Sequence, residues 1–424
     1  MYSRRIAVVY LALFISCTAI SLSAEPDDHE RPLRLTRASA VDIARENNPR
    51  VAAARETWRA AKAEHLVAIS PQNPELEIEY EELSGIRDIG GFGQRNVGIT
   101  QRIESPLKWW HRQRASGRRA ESVRFLAFES ARLAVDVDVK VAFDRVLANE
   151  AIVVASEESL RLAKDFASKA RTRFEAGDVA RLEALRARVQ VGLAQNALAQ
   201  AKAELTASRA WLTALLGRGD STQLELEGGL TFEPFQLHLS DLKDLAASRR
   251  PDLQGSRQAV ESLRSSRAEA TASLMPDLNL GVARQTVAGG VARSSFWRLT
   301  LGFELPLWAP VRERGRLLAR SAEVRGAEAR LIHLEQKAIA EVESGYAALK
   351  ANAERVEVFD RSILKHAAAA YDAASRSYQE GKASYLELLE AQRTLSQTTI
   401  DYTETLFDYR RAFAELERAT GGSL

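Results

Sequence analysis

Cysteine, clustered histidine, proline and long apolar runs are all scarce in this chain of 424 residues. The one cysteine, Cys17, lies inside an N-terminal leader, so the rest of the chain has no disulfide framework and no Cys/His metal cluster. The six histidines (His29, His65, His111, His238, His333 and His366) are scattered, with no pair at i, i+4 spacing. Eleven prolines leave room for long helices. Fifty-nine Lys and Arg against 57 Asp and Glu give a net charge of +2, which provides no pull toward nucleic acid. No nucleophile–base arrangement, metal-ligand spacing or phosphate loop stands out, so neither an enzyme nor a cofactor is expected. After the leader no apolar run is long enough for a membrane helix. A membrane could then be crossed only by β-strands.

What is present is a core-forming composition, 46% hydrophobic and 27% charged. The chain opens with a basic pair, Arg4 and Arg5, an apolar stretch at 6–15 and small residues ending at Ala24. That pattern is a secretory signal over 1–24. Phe14-Ile15-Ser16-Cys17 also resembles a lipobox, which makes Cys17 a candidate lipidation site beside ordinary cleavage near Ala24.

The sequence is written twice. Asn48-Pro49 returns as Arg250-Pro251, and Pro74-Glu75-Leu76 as Pro276-Asp277-Leu278, each 202 residues later. Pro106-Leu107 with Arg112 and Arg114 returns after 200 residues as Pro306-Leu307 with Arg312 and Arg314. Phe174-Glu175-Ala176-Gly177 returns after 204 as Tyr378-Gln379-Glu380-Gly381. Four echoes in register imply a duplication. The expected layout is a first repeat over 36–216, a connecting segment at 217–239 and a second repeat over 240–420.

Each repeat reads as helix, two strands, very long helix, tight tip, helix. The helices are expected at 36–70, 105–176 and 181–216, then at 240–274, 311–380 and 383–420. The strands are expected at 75–83, 96–103, 277–286 and 297–305. Trp297, Leu299, Leu301, Phe303 and Leu305 alternate with polar residues, and Leu76, Ile78 and Tyr80 alternate with Glu75, Glu77, Glu79 and Glu81. Ten-residue segments of this kind fit a tilted membrane β-barrel, and equally the half-buried sheet of a soluble protein. Four strands cannot close a barrel alone, whereas three copies would supply twelve. A helix over 105–176 is about 100 Å long. The helices 383–420 and 36–70, laid end to end, match its length, and 181–216 with 240–274 match 311–380. Long helices beside stacked pairs suggest the wall of a tube.

From Gly381 onward the chain reads Gly381-Lys382-Ala383-Ser384-Tyr385-Leu386-Glu387-Leu388-Leu389-Glu390-Ala391-Gln392-Arg393. With the tail from Asp408-Tyr409 to Leu416-Glu417, the Asn47-Asn48-Pro49 start and the 101–114 segment, this resembles the TolC-like outer-membrane efflux proteins. The last helix and Gln101-Arg102-Ile103-Glu104 look most like the heavy-metal branch. The resemblance implies a mainly α fold with a membrane β-barrel, formed as a homotrimeric α-barrel/β-barrel duct. It implies a passive channel of an RND-type tripartite efflux system, with its barrel in outer-membrane lipid. Its partners would be a periplasmic adaptor and, indirectly, an inner-membrane pump. Ducts for drugs, organic solutes or type I secretion share the frame, and a pore-less periplasmic scaffold is the alternative of a different class.

By the same resemblance Glu387 and Glu390 would line the entrance as rings of carboxylates. Glu183 and Tyr378 match a polar link that holds the entrance closed. The basic partner expected two residues after Gly381 is Ala383 here, which leaves Arg186 or Lys382 to replace it. The tips Gly177-Asp178-Val179-Ala180 and Gly381-Lys382-Ala383-Ser384 would dock the adaptor. Glu75, Glu77, Glu79 and Glu81 would face the barrel lumen and attract cations.

Overall fold

The computed structural model describes residues 33–83, 91–218, 224–289, 292–304 and 308–424. The leader with Cys17, and residue 305 at the end of the last expected strand, lie outside the described residues. Strand β1 (Leu33–Leu35) leads into helices α1 (Arg37–Asn47) and α2 (Pro49–Ile69), then strands β2 (Glu75–Glu81) and β3 (Gln94–Ile103). Helix α3 (Pro106–Val123) runs through a π-helical turn (Arg124–Glu129) into α4 (Ser130–Glu175), and α5 (Arg181–Leu215) returns. After β4 (Leu224–Leu226) the order repeats. It comprises α6 (Leu239–Arg249), α7 (Pro251–Ala272), β5 (Leu278–Gly289), β6 (Ala292–Phe303), α8 (Ala309–Val358), a π-helical turn (Phe359–Ile363), α9 (Leu364–Gln379) and α10 (Tyr385–Thr420). Among the described residues, no helix is long and apolar enough to cross a membrane.

The helices expected at 36–70 and 240–274 are each broken in two. A residue before proline is driven out of the helical region, and Asn48 and Arg250 sit at ψ 124° and 121°. Each break is fastened to the end of the returning helix of its own repeat. Asn48 caps α2 through the Arg50 N–H and donates from Nδ2 to the Leu215 carbonyl at 2.7 Å. Arg250 donates to the Ala419 carbonyl at 3.2 Å and also grips Asp252 and Glu341. The two returning helices end on left-handed glycines, Gly217 at φ 68° and Gly421 at φ 92°. Each glycine closes a Schellman turn, through Arg218 N–H to Thr213 and Gly422 N–H to Glu417. The stacked pairs are therefore α5 with α2 and α10 with α7, the reverse of the pairing expected from length. The helices α2 and α7 have 21 and 22 residues, and α5 and α10 have 35 and 36, so either pairing gives nearly the same length and length could not choose between them.

Asp252 makes this joint sensitive to acid. Burial alone would raise its carboxyl, but the Arg250 guanidinium and the Leu253 N–H hold it below the usual 3.8. A carboxyl depressed in the fold stabilises above its unfolded pKa, and that contribution is lost as pH falls through the folded value. Thermal unfolding of Asp252→Asn is expected to vary less than that of the parent between about pH 5 and pH 3.

Side by side, the helices form one layer. Near the sheet the order is α2, α3, α7, α8; farther away it is α5, α4, α10, then α8 with its continuation α9. One core joins Leu35, Val139, Phe143, Leu212 and Leu216 at the joint of the first repeat. A second joins Leu242, Val342, Leu349, Tyr409 and Leu416 at the joint of the other. In the connecting segment β4 pairs in parallel with β1.

The four long strands form an antiparallel sheet in the order β2-β3-β5-β6, with β2 and β6 at its edges. The register puts Leu76, Ile99, Val282 and Leu299 in one row, and Ile103, Leu278 and Phe303 in another, on a single face. These side chains are largely exposed, with Leu299 at 72% and Leu76 at 67%. The opposite face carries Glu75, Glu77, Glu79 and Glu81.

The sheet is tied to the helices through Asp277, which is only 4% exposed. It accepts from Arg102 at 2.8 Å, Lys108 at 3.1 Å and the Ser105 N–H at 3.2 Å, while Arg102 also reaches Glu304 at 2.6 Å. Removing one partner of such a buried cluster strands the others. Asp277→Ala is expected to lower stability by about 3 kcal/mol, read as a fall in unfolding temperature in detergent.

Candidate channel entrance

At the end of the molecule away from the sheet, two helical hairpins come to their tips. α4 stops at Gly177 and α9 at Gly381, with φ of 84° and 72°. Asp178 N–H reaches back to Arg173 and Lys382 N–H to Ser377, both at 2.8 Å. The glycines permit the left-handed residue that such a stop requires. Gly177, Asp178, Ala180, Gly381, Lys382 and Ser384 are exposed, and Val179 and Ala383 are half-buried.

The two hairpins start their second helices differently, and one residue accounts for the difference. Before α10, Ser384 forms a capping box in which Glu387 accepts from the Ser384 N–H at 2.7 Å. Before α5 the corresponding residue is Ala180, which has no hydroxyl to offer. Glu183, the counterpart of Glu387, is therefore not drawn back to its own cap. It accepts from the Tyr378 hydroxyl on the other hairpin at 3.1 Å.

Tyr378 is 7% exposed and sits among Phe166, Ala170, Ala187, Tyr385, Leu388 and Leu389, which come from all the helices at the tip. Phe166, Tyr378 and Tyr385 meet edge to face, with centroids 6.1 to 6.5 Å apart. Burial pushes the Tyr378 phenol above its usual 10.0 and the Glu183 carboxylate pushes further, while Arg173 opposes both. The phenol keeps its proton at neutral pH and remains the donor. About two turns along α5 from Glu183, Arg393 Nε donates to Gln190 at 3.1 Å, a second polar link between the hairpins.

The sequence-based site residues divide accordingly. Glu183 and Tyr378 are brought together. Arg186 is exposed and has no ion pair among the described residues. Lys382 pairs with Glu380 at 2.7 Å, away from the link. The cation at the link is Arg173, whose guanidinium lies 5.3 Å from the Tyr378 ring centre. No spacing in the sequence pointed to Arg173, or to the Arg393–Gln190 contact. The Ser384-x-x-Glu387 signature was readable and assigns Glu387 a helix-capping task. Glu390 is exposed with no ion pair among the described residues.

Toward the sheet, Glu75, Glu77, Glu79 and Glu81 share a face and are exposed, and Glu79 accepts from Asn96 at 3.1 Å. That face is not uniformly acidic, because Arg298 stands in the row of Glu77 and Arg102 on the same side. Among the described residues no group of acidic, His or Cys side chains could hold a metal ion.

Comparison with known proteins gives a consistent result. The model of the outer membrane efflux protein family matches twice, over residues 40–218 and 242–422. The cobalt-zinc-cadmium resistance protein CzcC of Cupriavidus metallidurans is 26% identical, over 91% of this chain and 90% of that protein. The pyoverdine export outer membrane protein OpmQ of Pseudomonas putida is 24% identical, over 90% and 85%. Among solved structures, CusC superposes with a TM-score of 0.76 at 18% identity, covering 91% of this chain and 92% of that one. VceC of Vibrio cholerae gives a TM-score of 0.76 at 17% identity, covering 91% and 96%. A duplicated chain, a four-stranded amphipathic sheet and a layered helical wall are thus features shared with channels rather than enzymes, and the chain belongs to the outer membrane efflux protein family.

Proposed function

We propose that three copies of this chain close into a duct that carries divalent heavy-metal cations from periplasm to exterior, as the outer-membrane part of an RND-type tripartite pump. The observation that carries the duct is that sheet and wall leave the same two edges open. β2 and α2/α5 lie at one side, and β6 and α8/α9 at the other. A head-to-tail contact between unlike edges closes into a ring. The helix α5 supports this with exposed Leu182, Leu185, Val189 and Leu193, an apolar stripe at helical spacing that awaits a neighbour. The two repeats, 36–216 and 240–420, each enclose one set of wall and strand elements, and 217–239 connects them.

In this reading Glu390, with Glu387 beside it, forms rings of carboxylates at the mouth, and the strand glutamates line the lumen. Glu183 and Tyr378, backed by Arg173, hold the mouth shut. The exposed tips at 177–180 and 381–384 meet the periplasmic adaptor. The cation cargo rests on these carboxylates and on similarity to a cobalt-zinc-cadmium resistance protein. Similarity to a pyoverdine exporter favours an organic cargo as the second reading. Growth of a deletion strain in cobalt, zinc and cadmium salts, against a panel of organic toxicants, separates them. Loss of tolerance to metals alone is expected, and loss of tolerance to organic compounds alone would overturn the metal cargo.

A further inference from the structure

Where the sheet gives way to the helices, its apolar face continues onto them. The last row of that face is Ile103, Leu278 and Phe303. Leu107 follows Ile103 by four residues and Met275 precedes Leu278 by three, and they are exposed at 42% and 51%. The Ser105 hydroxyl meets the Met275 sulfur at 3.7 Å, which brings the segment after α7 against the start of α3. On the glutamate side of α3, Lys108 reaches Asp277 beside Arg102. Trp110 lies about 200° round the helix from Lys108, with Leu107 and Arg114 within about 60° of it. Trp110 is exposed, and the Arg114 guanidinium lies 5.5 Å from its ring centre. Such a ring at the rim of an apolar band is the pattern of a membrane–water interface.

Just past that rim, α3, α7 and α8 enclose a groove of about 870 Å³. Leu107, Leu274, Met275 and Val324 give it an apolar lining. Its charged lining comes from a ladder between antiparallel α7 and α8. Arg257 donates to Glu335 at 3.0 Å, and seven residues on, Arg264 donates to Glu328 at 2.6 Å. Arg264 is held a second time by Glu261 at 2.7 Å. One turn nearer the sheet, the same register sets Arg267 opposite Arg325. Both line the groove and are exposed, and neither has an ion pair among the described residues. Where the lower rungs pair opposite charges, this one sets two like charges together. They repel, and an anion between them relieves the repulsion.

We propose that Arg267 and Arg325 clamp the phosphate of an anionic glycerophospholipid from the periplasmic leaflet of the outer membrane. Its acyl chains would run along Leu274, Met275 and the apolar face of the sheet. The proposal rests on the sheet lying in the outer membrane with the helices in the periplasm. Forked guanidinium donors match phosphate oxygens in a way that an amide side chain cannot reproduce. The apolar lining, continuous with the sheet, selects a lipid over a soluble phosphate.

The test uses the full-length protein purified in detergent, with lipid retention read by native mass spectrometry. The probes are dioleoyl phosphatidylglycerol and dioleoyl phosphatidylethanolamine, with inorganic phosphate as competitor. The parent is expected to retain phosphatidylglycerol about tenfold better than phosphatidylethanolamine. R267Q/R325Q should bring it down to the phosphatidylethanolamine level, and R325Q alone should give a partial loss. Without lipid, R325Q should not lower the unfolding temperature, because it removes a repulsion. Added phosphatidylglycerol should raise that temperature for the parent and not for the double variant. Equal retention by parent and double variant overturns the site, as does phosphatidylethanolamine held as tightly as phosphatidylglycerol. Displacement of the lipid by equimolar inorganic phosphate overturns the lipid as occupant. Fractionation of tagged protein into outer membranes is read separately, so misplacement of the channel is distinguished from failure to bind the lipid.

Discussion

Replacing Gly217 or Gly421 with alanine is expected to abolish recovery of folded protein, while the same change at Gly177 is tolerated. All three glycines are left-handed, at φ 68°, 92° and 84°, so the backbone cost of about 1 to 2 kcal/mol is common to them. What differs is the space around each. A Cβ on Gly217 would lie 2.3 Å from the Asn47 carbonyl oxygen, and one on Gly421 would lie 2.6 Å from the Arg250 nitrogen. Both obstacles are backbone, and both belong to the break that joins two stacked helices. Nothing lies within 4 Å of a Cβ on Gly177. Forcing either joint apart would also weaken the Asn48 or Arg250 bond across it. The combined loss at a joint should reach about 4 kcal/mol or more. Thermal unfolding and yield of assembled protein check the contrast. Equal behaviour of Gly177→Ala and Gly421→Ala would show that the joints are not where the wall is fixed.

Tyr378→Phe combined with Glu183→Gln is expected to shift the channel strongly toward conduction in planar bilayers. The phenol–carboxylate bond is shielded and its acceptor is charged, so a net value of about 1 kcal/mol per subunit is a modest figure. Three copies acting together would move a closed-to-open ratio by about 3 kcal/mol, on the order of a hundredfold. Tyr378→Phe keeps the ring, and with it the packing against Phe166 and Tyr385, so stability should change little. Arg173→Ala should act in the same direction through loss of the cation over the ring. Unchanged conductance in the double variant would remove Glu183 and Tyr378 from gating.

Much of the fold was legible because duplication and alternation are written in residue types. The Trp297 to Phe303 alternation fixed a face, and the Gly177 and Gly381 tips fixed two reversals. The breaks at Asn48 and Arg250 were also written, in the prolines that follow, although the surrounding helical pattern suggested one continuous rod. The choice of stacking partner was not legible. It depends on which glycine meets which break, and lengths that are nearly the same in either pairing carry no information on that. The two π-helical turns are likewise a matter of packing rather than motif. At the entrance, the pair of Glu183 and Tyr378 was found through the family pattern. Arg173 was not, because its counterpart one repeat later, Ser377, is uncharged. Trp297 was expected near a strand end but stands in mid-strand, in the row of Ile78, Val97 and Arg284.

The open edges of the sheet bear on how the molecule reaches its place. A single copy inserted into lipid would present the unpaired N–H and C=O groups of β2 and β6 to hydrocarbon, where no water can satisfy them. Its apolar face, meanwhile, would be exposed if the copy stayed in water. Neither solvent suits the lone chain, so in the proposed trimer recruitment of the other copies is expected to precede or accompany entry into the bilayer. Biogenesis is then expected to be a concerted event whose rate depends on the concentration of chains, with no resident monomer in the membrane.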